Sequence, residues 1–314
     1  MKTTLIIDCD PGVDDATGLL MAFAAPDLDL LAITTVGGNV PSSATARNGC
    51  ILRQIADRED VPVFAGADRP LRREPAGAGE FHGEEGLGDL KPFATAKGVE
   101  DEHAVDALVR LINAKPEGTV TLILMGPMTN LALALRKDPA LATRLKQVVA
   151  MGGARSEGGN ITASAEFNIW ADPDAAHEVL SSPAKVVMLG LDVTHQVRGT
   201  EARITAIEAI DNASAQTVSA MLRFSQRIER EIVGWDAAPL HDPCTVAYVM
   251  DADLFEVQPA EIRIECDSDL TRGHTAVEMR VAPETARHFW ATGVKDQAVY
   301  DLIGQTLAGA GEAK

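Results

Sequence analysis

Along this chain, short β-branched and fully apolar runs alternate with stretches whose apolar positions recur at helical spacing. Thr4 to Ile7 reads as a strand and Asp14 to Ala25 as a helix. "LDLLAITTV", ending at Val36, is the next strand, and a helix runs from about Ser42 to Asp57. "VPVFAG" is a short strand, followed by a loop rich in Gly, Pro and charge from Ala67 to Gly98. A helix covers about Glu102 to Ala114, "TVTLILM" is a strand, and Met128 to Lys137 is a helix. "LKQVVAM" and "AKVVMLG" continue the alternation, with a helix over Asp174 to Leu180 between them. Apolar strand centres interleaved with helices predict a mostly parallel sheet flanked by helices on both faces. The C-terminal third is more helical between Glu201 and Val233, then returns to strand-like "AEIRIEC" and "TAVEMRV", an extension of the sheet. With no internal repeat and no low-complexity linker, residues 1–314 read as a single α/β domain.

Composition narrows the classes. Aromatic residues are only 4% against 46% hydrophobic, so Ala, Val, Ile and Leu must fill the core. The formal charge of −18 argues against nucleic acid, whose binding depends on Lys and Arg neutralising phosphates. No apolar run is long enough for a membrane helix, and the apolar segment in "MKTTLIID" is too short for a signal peptide. Cys9, Cys50, Cys244 and Cys266 are scattered and lack CxxC spacing, so reduced thiols and a cytoplasmic location are expected.

The polar residues that break this pattern fall after strands, where open parallel sheets bind ligands. Asp8, Asp10, Asp14 and Asp15 follow the first strand and "GGN", ending in Asn39, follows the second. "MGPMTN" and "MGGARSEGGN" follow later strands. Two carboxylates at about 4 Å repel by on the order of 4 kcal/mol at an effective dielectric of about 20. The helix N-terminus beside them returns only about 0.3–1 kcal/mol per carboxylate. A divalent cation would suffice, and all-oxygen ligands favour Ca²⁺ or Mg²⁺ over zinc. The competing reading is a helix cap at Asp14 with solvated neighbours. An EF-hand does not fit, because the twelfth residue of a loop begun at Asp8 or Asp10 is Leu19 or Met21, not glutamate.

In "PLHDPCTVAY", Asp242 before Pro243 suits a helix start and equally a remote metal ligand, with His241 beside it as a proton donor. In "GGNITASAEFNIWADPD", an extended backbone would point Glu166 and Asn168 the same way. With Asn160 they suit the hydroxyls of a sugar, or else form a polar loop, while Asp172 simply starts the next helix. "GEFHGEEGLGD", from Gly79 to Asp89, reads either as a lid over a ligand, with His82 touching it, or as an ordinary surface loop. His103, His177, His195, His274 and His288 receive no role.

These motifs, together with "TTVGGN", "FHGEEGLG", "MGPMTNLA", "VAMGGA", "LDVTH" and above all "DCDPGVDDA", resemble the calcium-dependent, inosine-uridine-preferring nucleoside hydrolases over nearly the whole chain. The resemblance implies a Rossmann-like parallel fold, Ca²⁺, and hydrolysis of the N-glycosidic bond of ribonucleosides to ribose and free base, as in nucleoside salvage. It implies metal ligation by Asp10, Asp15, Asp242 and the main-chain carbonyl of Met125. Ribose would be held by Asp14, Asn39, Asn160, Glu166 and Asn168, with His82 flanking the pocket. Asp10 would take the proton of a Ca²⁺-bound water and His241 would serve the leaving base as acid. Many relatives place tyrosines before the "HDPC" motif; here "LRFSQRIEREIVGWDAAPLHDPC" has none, so the base is not read from the sequence. A homodimer or homotetramer with no membrane or nucleic-acid partner is expected. Two rival readings are a haloacid-dehalogenase-like phosphatase and a non-catalytic, Ca²⁺-dependent sugar-binding protein. The phosphatase would use Asp8 and Asp10, but has Gly12 where a hydroxylic or β-branched residue belongs. The sugar-binding protein would not need Asp10 poised on a water.

Overall fold

The computed structural model describes residues 2–75 and 77–310. Its strands are β1 (Thr3–Cys9), β2 (Leu28–Thr35), β3 (Val63–Ala65), β4 (Val120–Leu124), β5 (Gln147–Met151) and β6 (Val186–Leu189). They continue with β7 (Arg198–Gly199), β8 (Ala238–Pro239), β9 (Phe255–Ile264), β10 (Thr275–Glu278) and β11 (His288–Val294). Nine of them form one sheet in the order β10-β9-β11-β6-β5-β4-β1-β2-β3, while β7 and β8 pair separately. From β3 to β11 every neighbour is parallel; only β9 and β10 run antiparallel to the strands beside them.

The side-chain period of two sends adjacent strand residues to opposite layers. Leu5, Ile7, Ile123, Val149 and Val187 pack on the side of helices Val13–Ala24, Ala213–Ile232 and Asp296–Gly309. Ile6, Leu122, Leu124, Val148, Val186 and Met188 pack on the side of helices Ala104–Asn113, Thr129–Lys137 and Pro173–Ser181. This two-sided burial explains why the strands read as unbroken apolar runs.

Chain order places β2 and β3 on one side of β1 and β4, β5 and β6 on the other. The crossovers therefore diverge at the carboxyl ends of β1 and β4, and a crevice opens there. Asp10 leaves the sheet at the end of β1 and Met125 at the end of β4.

The C-terminal extension differs from the sequence reading in its order. "HFWATGV" forms β11, which inserts between β6 and β9, and a helix over Asp296–Gly309 closes the fold. Within the long loop the only helix among the described residues is Gly79–His82. Its far end is fastened by Arg53, fully buried, which donates to the carbonyls of Val61 (3.2 Å), Gly98 (3.2 Å) and Lys97. All four cysteines are unpaired. Among the described residues no helix is long and apolar enough to cross a membrane.

β6 ends against the indole of Trp290 on β11. A Cβ at Gly190 would lie 2.4 Å from that ring and 2.7 Å from the carbonyl oxygen of Gly153. Gly190→Ala is expected to cost about 1–3 kcal/mol by overpacking, read as a lower urea midpoint at unchanged m.

Candidate active site

The turn Cys9–Val13 joins β1 to the helix Val13–Ala24, and Asp15 sits at the third position of that helix. Its Oδ2 accepts from the Gly12 amide (3.0 Å) and its Oδ1 from the Asp10 amide (3.2 Å). The cap of this helix is therefore Asp15 rather than Asp14, and the neighbouring carboxylates are buried rather than solvated. From the opposite side Asp242 arrives at the start of helix Pro243–Met250. It occupies the N-cap position, yet its carboxylate makes no capping bond. The carboxylate joins the aspartates instead. Asp14, Asp15 and Asp242 each present an oxygen within 4.8 Å of the other two.

Asp10 stands beside this triad. Its Oδ2 accepts from the Asn39 amide (2.7 Å), and the Asn39 side chain donates to the Asp10 carbonyl (3.2 Å) and to Asp15 Oδ2 (3.1 Å). Its Oδ1 is buried without a partner, as is Asp14 Oδ1. A Cβ at Gly38 would come within 2.1 Å of Asp10 Oδ2, and one at Gly126 within 2.4 Å of Oδ1. Only glycine fits on either flank of this carboxylate.

Burial pushes Asp10 and Asp242 well above the ordinary carboxylate range, and the neighbouring aspartates add to the shift. Burial and then Asp14 raise Asp15 to about 7. Asp8, beneath them, is raised to about 7 by burial despite accepting from Thr34 Oγ1 (2.5 Å) and Asn130 Nδ2 (2.8 Å). A buried anionic cluster of oxygen donors with orphaned lone pairs fits a hard cation. The Met125 carbonyl adds a neutral oxygen at the edge and accepts from Asn168 Nδ2 (2.6 Å).

The polar residues expected to meet a sugar lie together, though not on extended backbone. Glu166 caps a short helix, Phe167–Ala171, accepting from the amides of Asn168 (2.8 Å), Ile169 (3.2 Å) and Gly153 (2.9 Å). The capping carboxylate and the Asp172-Pro173 start of the next helix make the helical turn locally favourable, which corrects the strand-like reading. Asp172 caps that next helix as expected, accepting from the Ala175 amide (3.1 Å). Asn160, exposed at the rim, ties its loop to the turn by accepting from the Phe167 amide (2.9 Å).

His82 reaches back over the aspartate turn. Its Nδ1 accepts from the Val13 amide (3.1 Å) and lies 3.8 Å from Asp14 Oδ1, while burial lowers its pKa. Beyond it, Arg227 makes a two-nitrogen pair with Asp89 (both 3.0 Å), clasping the 79–90 loop to helix Ala213–Ile232.

On the remaining side the His241 Nδ1 is 2.9 Å from Thr194 Oγ1, and burial lowers its pKa to about 4 against the opposing pull of Asp14. His195, given no role from sequence, stands with its ring 5.8 Å from that of His241 and hydrogen-bonds Glu157 (3.1 Å). Trp235 packs edge-on to His195 (5.4 Å) beneath the guanidinium of Arg198 (4.0 Å). Sequence reasoning missed this wall; its one signal was the "LDVTH" segment. His103 caps helix Ala104–Asn113 by accepting from the Val105 amide (3.2 Å).

Residues 5–301 match the family model described as inosine-uridine preferring nucleoside hydrolase. The chain is 39% identical to the inosine-uridine preferring nucleoside hydrolase of Crithidia fasciculata, covering 89% of each chain. It is 38% identical to the pyrimidine-specific ribonucleoside hydrolase RihA of Shewanella sp. strain ANA-3, covering 98% of this chain and 97% of the other. Among solved structures, a plant nucleoside hydrolase superposes with a TM-score of 0.92 at 32% identity, over 98% of this chain and 99% of that one.

Folded Asp8 and Asp15 titrate near 7, above the ordinary 3.8. Their contribution to stability is therefore full below the unfolded value and is lost as pH rises through about 7. After chelation, the melting temperature is expected to fall between about pH 4 and about pH 7, and an added hard divalent cation should restore it more at pH 8 than at pH 5. Calorimetry across that range checks it; a flat profile in chelator would contradict it.

Proposed function

Because the chain belongs to the inosine-uridine preferring nucleoside hydrolase family and is an enzyme that hydrolyses the N-glycosidic bond of ribonucleosides, we propose how its own residues divide that work. The observation that carries the proposal is the buried triad Asp14–Asp15–Asp242 beside the half-unsatisfied Asp10. Asp10, Asp15, Asp242 and the Met125 carbonyl would hold Ca²⁺, with Asp14 close enough to share it. When bound, the ion supplies Lewis acidity toward a water and the sugar diol.

Asp10 accepts the proton of the attacking water through Oδ1, the oxygen that Asn39 and the backbone leave free. Asp14, Asn39, Asn160, Glu166 and Asn168 line the ribose, each neutral hydrogen bond contributing roughly 0.5–1.5 kcal/mol. As the glycosidic bond lengthens, the ribosyl group gains positive charge, and the surrounding carboxylates stabilise it electrostatically. His241, neutral at rest, takes up a proton from solvent as the bond lengthens, passes it to the departing base and returns to the neutral imidazole. The negative charge growing on that base opposes the desolvation that holds the imidazole neutral, so proton uptake and bond breaking reinforce one another. His82 covers the sugar from the loop side.

Asp10→Asn is expected to lower kcat by about 10²–10⁴ while ribose affinity changes little. Steady-state rates and ribose titration check this, and equal losses in both would leave Asp10 as a ligand only. His241→Ala should lower kcat on inosine or uridine by about 10²–10⁴ and spare p-nitrophenyl riboside, whose leaving group needs no acid. Rates on inosine, adenosine, uridine and cytidine, with chelator and with Ca²⁺ or Mg²⁺ restored, test the cation and the base together.

A further inference from the structure

We propose that Thr194 is a positioning residue for the reaction. Its hydroxyl fixes the ring of His241 and selects which imidazole nitrogen is offered to the leaving base. The inference rests on the reading of His241 as the leaving-group acid.

Thr194 is completely buried, and its Oγ1 meets His241 Nδ1 at 2.9 Å. Engaging Nδ1 leaves Nε2, on the other edge of the ring, as the nitrogen open to a substrate. The hydroxyl can hold that choice because its own position is over-determined. Threonine is stiff at χ1. Its backbone closes the short helix Leu191–Thr194, whose first residue is bonded to the Gly153 carbonyl (2.9 Å).

Both flanks of the segment are fastened as well. The Asp192 carboxylate accepts from the amides of Arg155 (2.7 Å) and Ser156 (2.8 Å). His195 hydrogen-bonds Glu157, and its carbonyl accepts from Arg198 Nε (2.6 Å). The Leu240 amide donates to the Val197 carbonyl (2.8 Å), so the stretch after β8 that carries His241 is tied to the same segment. The loop anchored by Asp192 and His195 is the one that ends in Asn160. One bracket therefore sets the acid relative to the sugar.

The test compares Thr194→Val, which keeps the shape without the hydroxyl, and Thr194→Ser, which keeps the hydroxyl, using inosine and p-nitrophenyl riboside. Thr194→Val should lower kcat on inosine about 10–100-fold, as a misplaced catalytic group does. It should leave KM and the activated substrate unchanged, and Thr194→Ser should restore the inosine rate. In a His241→Ala background, Thr194→Val should have no further effect. Equal losses on both substrates, or a further loss in that background, would overturn the proposal. ¹⁵N-histidine NMR separates its failure from that of the underlying reading. A shift of the His241 Nδ1 and Nε2 resonances in Thr194→Val supports the positioning role even if His241→Ala shows no dependence on leaving group. Unchanged resonances overturn it even if His241 proves to be the acid.

Discussion

Everything at the mouth of this sheet answers to the mutual repulsion of carboxylates that the backbone forces together and hides from water. Asp8, Asp10, Asp15 and Asp242 are buried, Asp14 nearly so, and among the described residues no lysine or arginine pairs with any of them. What surrounds them is neutral. Asn39, Asn130, Thr34 and the turn amides of Asp10 and Gly12 give direction to the oxygens without cancelling their charge. Such donors hold geometry and leave the electrostatic deficit in place. A cation can then enter a cradle already shaped for it, with little reorganisation.

The sheet supplies the mount. Because the crossovers diverge around β1, loops from β1, β2, β4 and β5 meet over one crevice. The wall around His241 is assembled differently, from the segment after β6, the stretch around β8 and helix Ala213–Ile232. These parts are far apart in sequence and are joined by the β7–β8 pairing, by Leu240 on the Val197 carbonyl and by side-chain bridges such as Thr194 with His241 and Arg227 with Asp89. The aspartate side is built by topology, the His241 side by bridging.

That division also explains what could be read from the sequence. The parallel core was legible because burial on both faces writes itself as continuous apolar runs, and the aspartates because so much charge between a strand and an apolar helix has few explanations. β11 was not legible. "HFWATGV" mixes a histidine and a glycine into a strand whose identity depends on fitting between β6 and β9. The turn at Glu166 reads as extended because a glutamate is an uncommon N-cap and its third bond, from Gly153, is not visible in local spacing. The wall of Thr194, His195, Arg198 and Trp235 stayed hidden because only the fold brings Trp235 and His241 against the 194–198 segment.

The two glycines pressed against Asp10 carry a consequence for how such a pocket can diverge. Neither flank can accept even a methyl group without displacing the carboxylate, so the floor of the crevice is frozen chemically. Change is freer at the upper rim, at exposed positions such as Glu80, Glu84 and Arg230, whose side chains make no bond to the charge beneath.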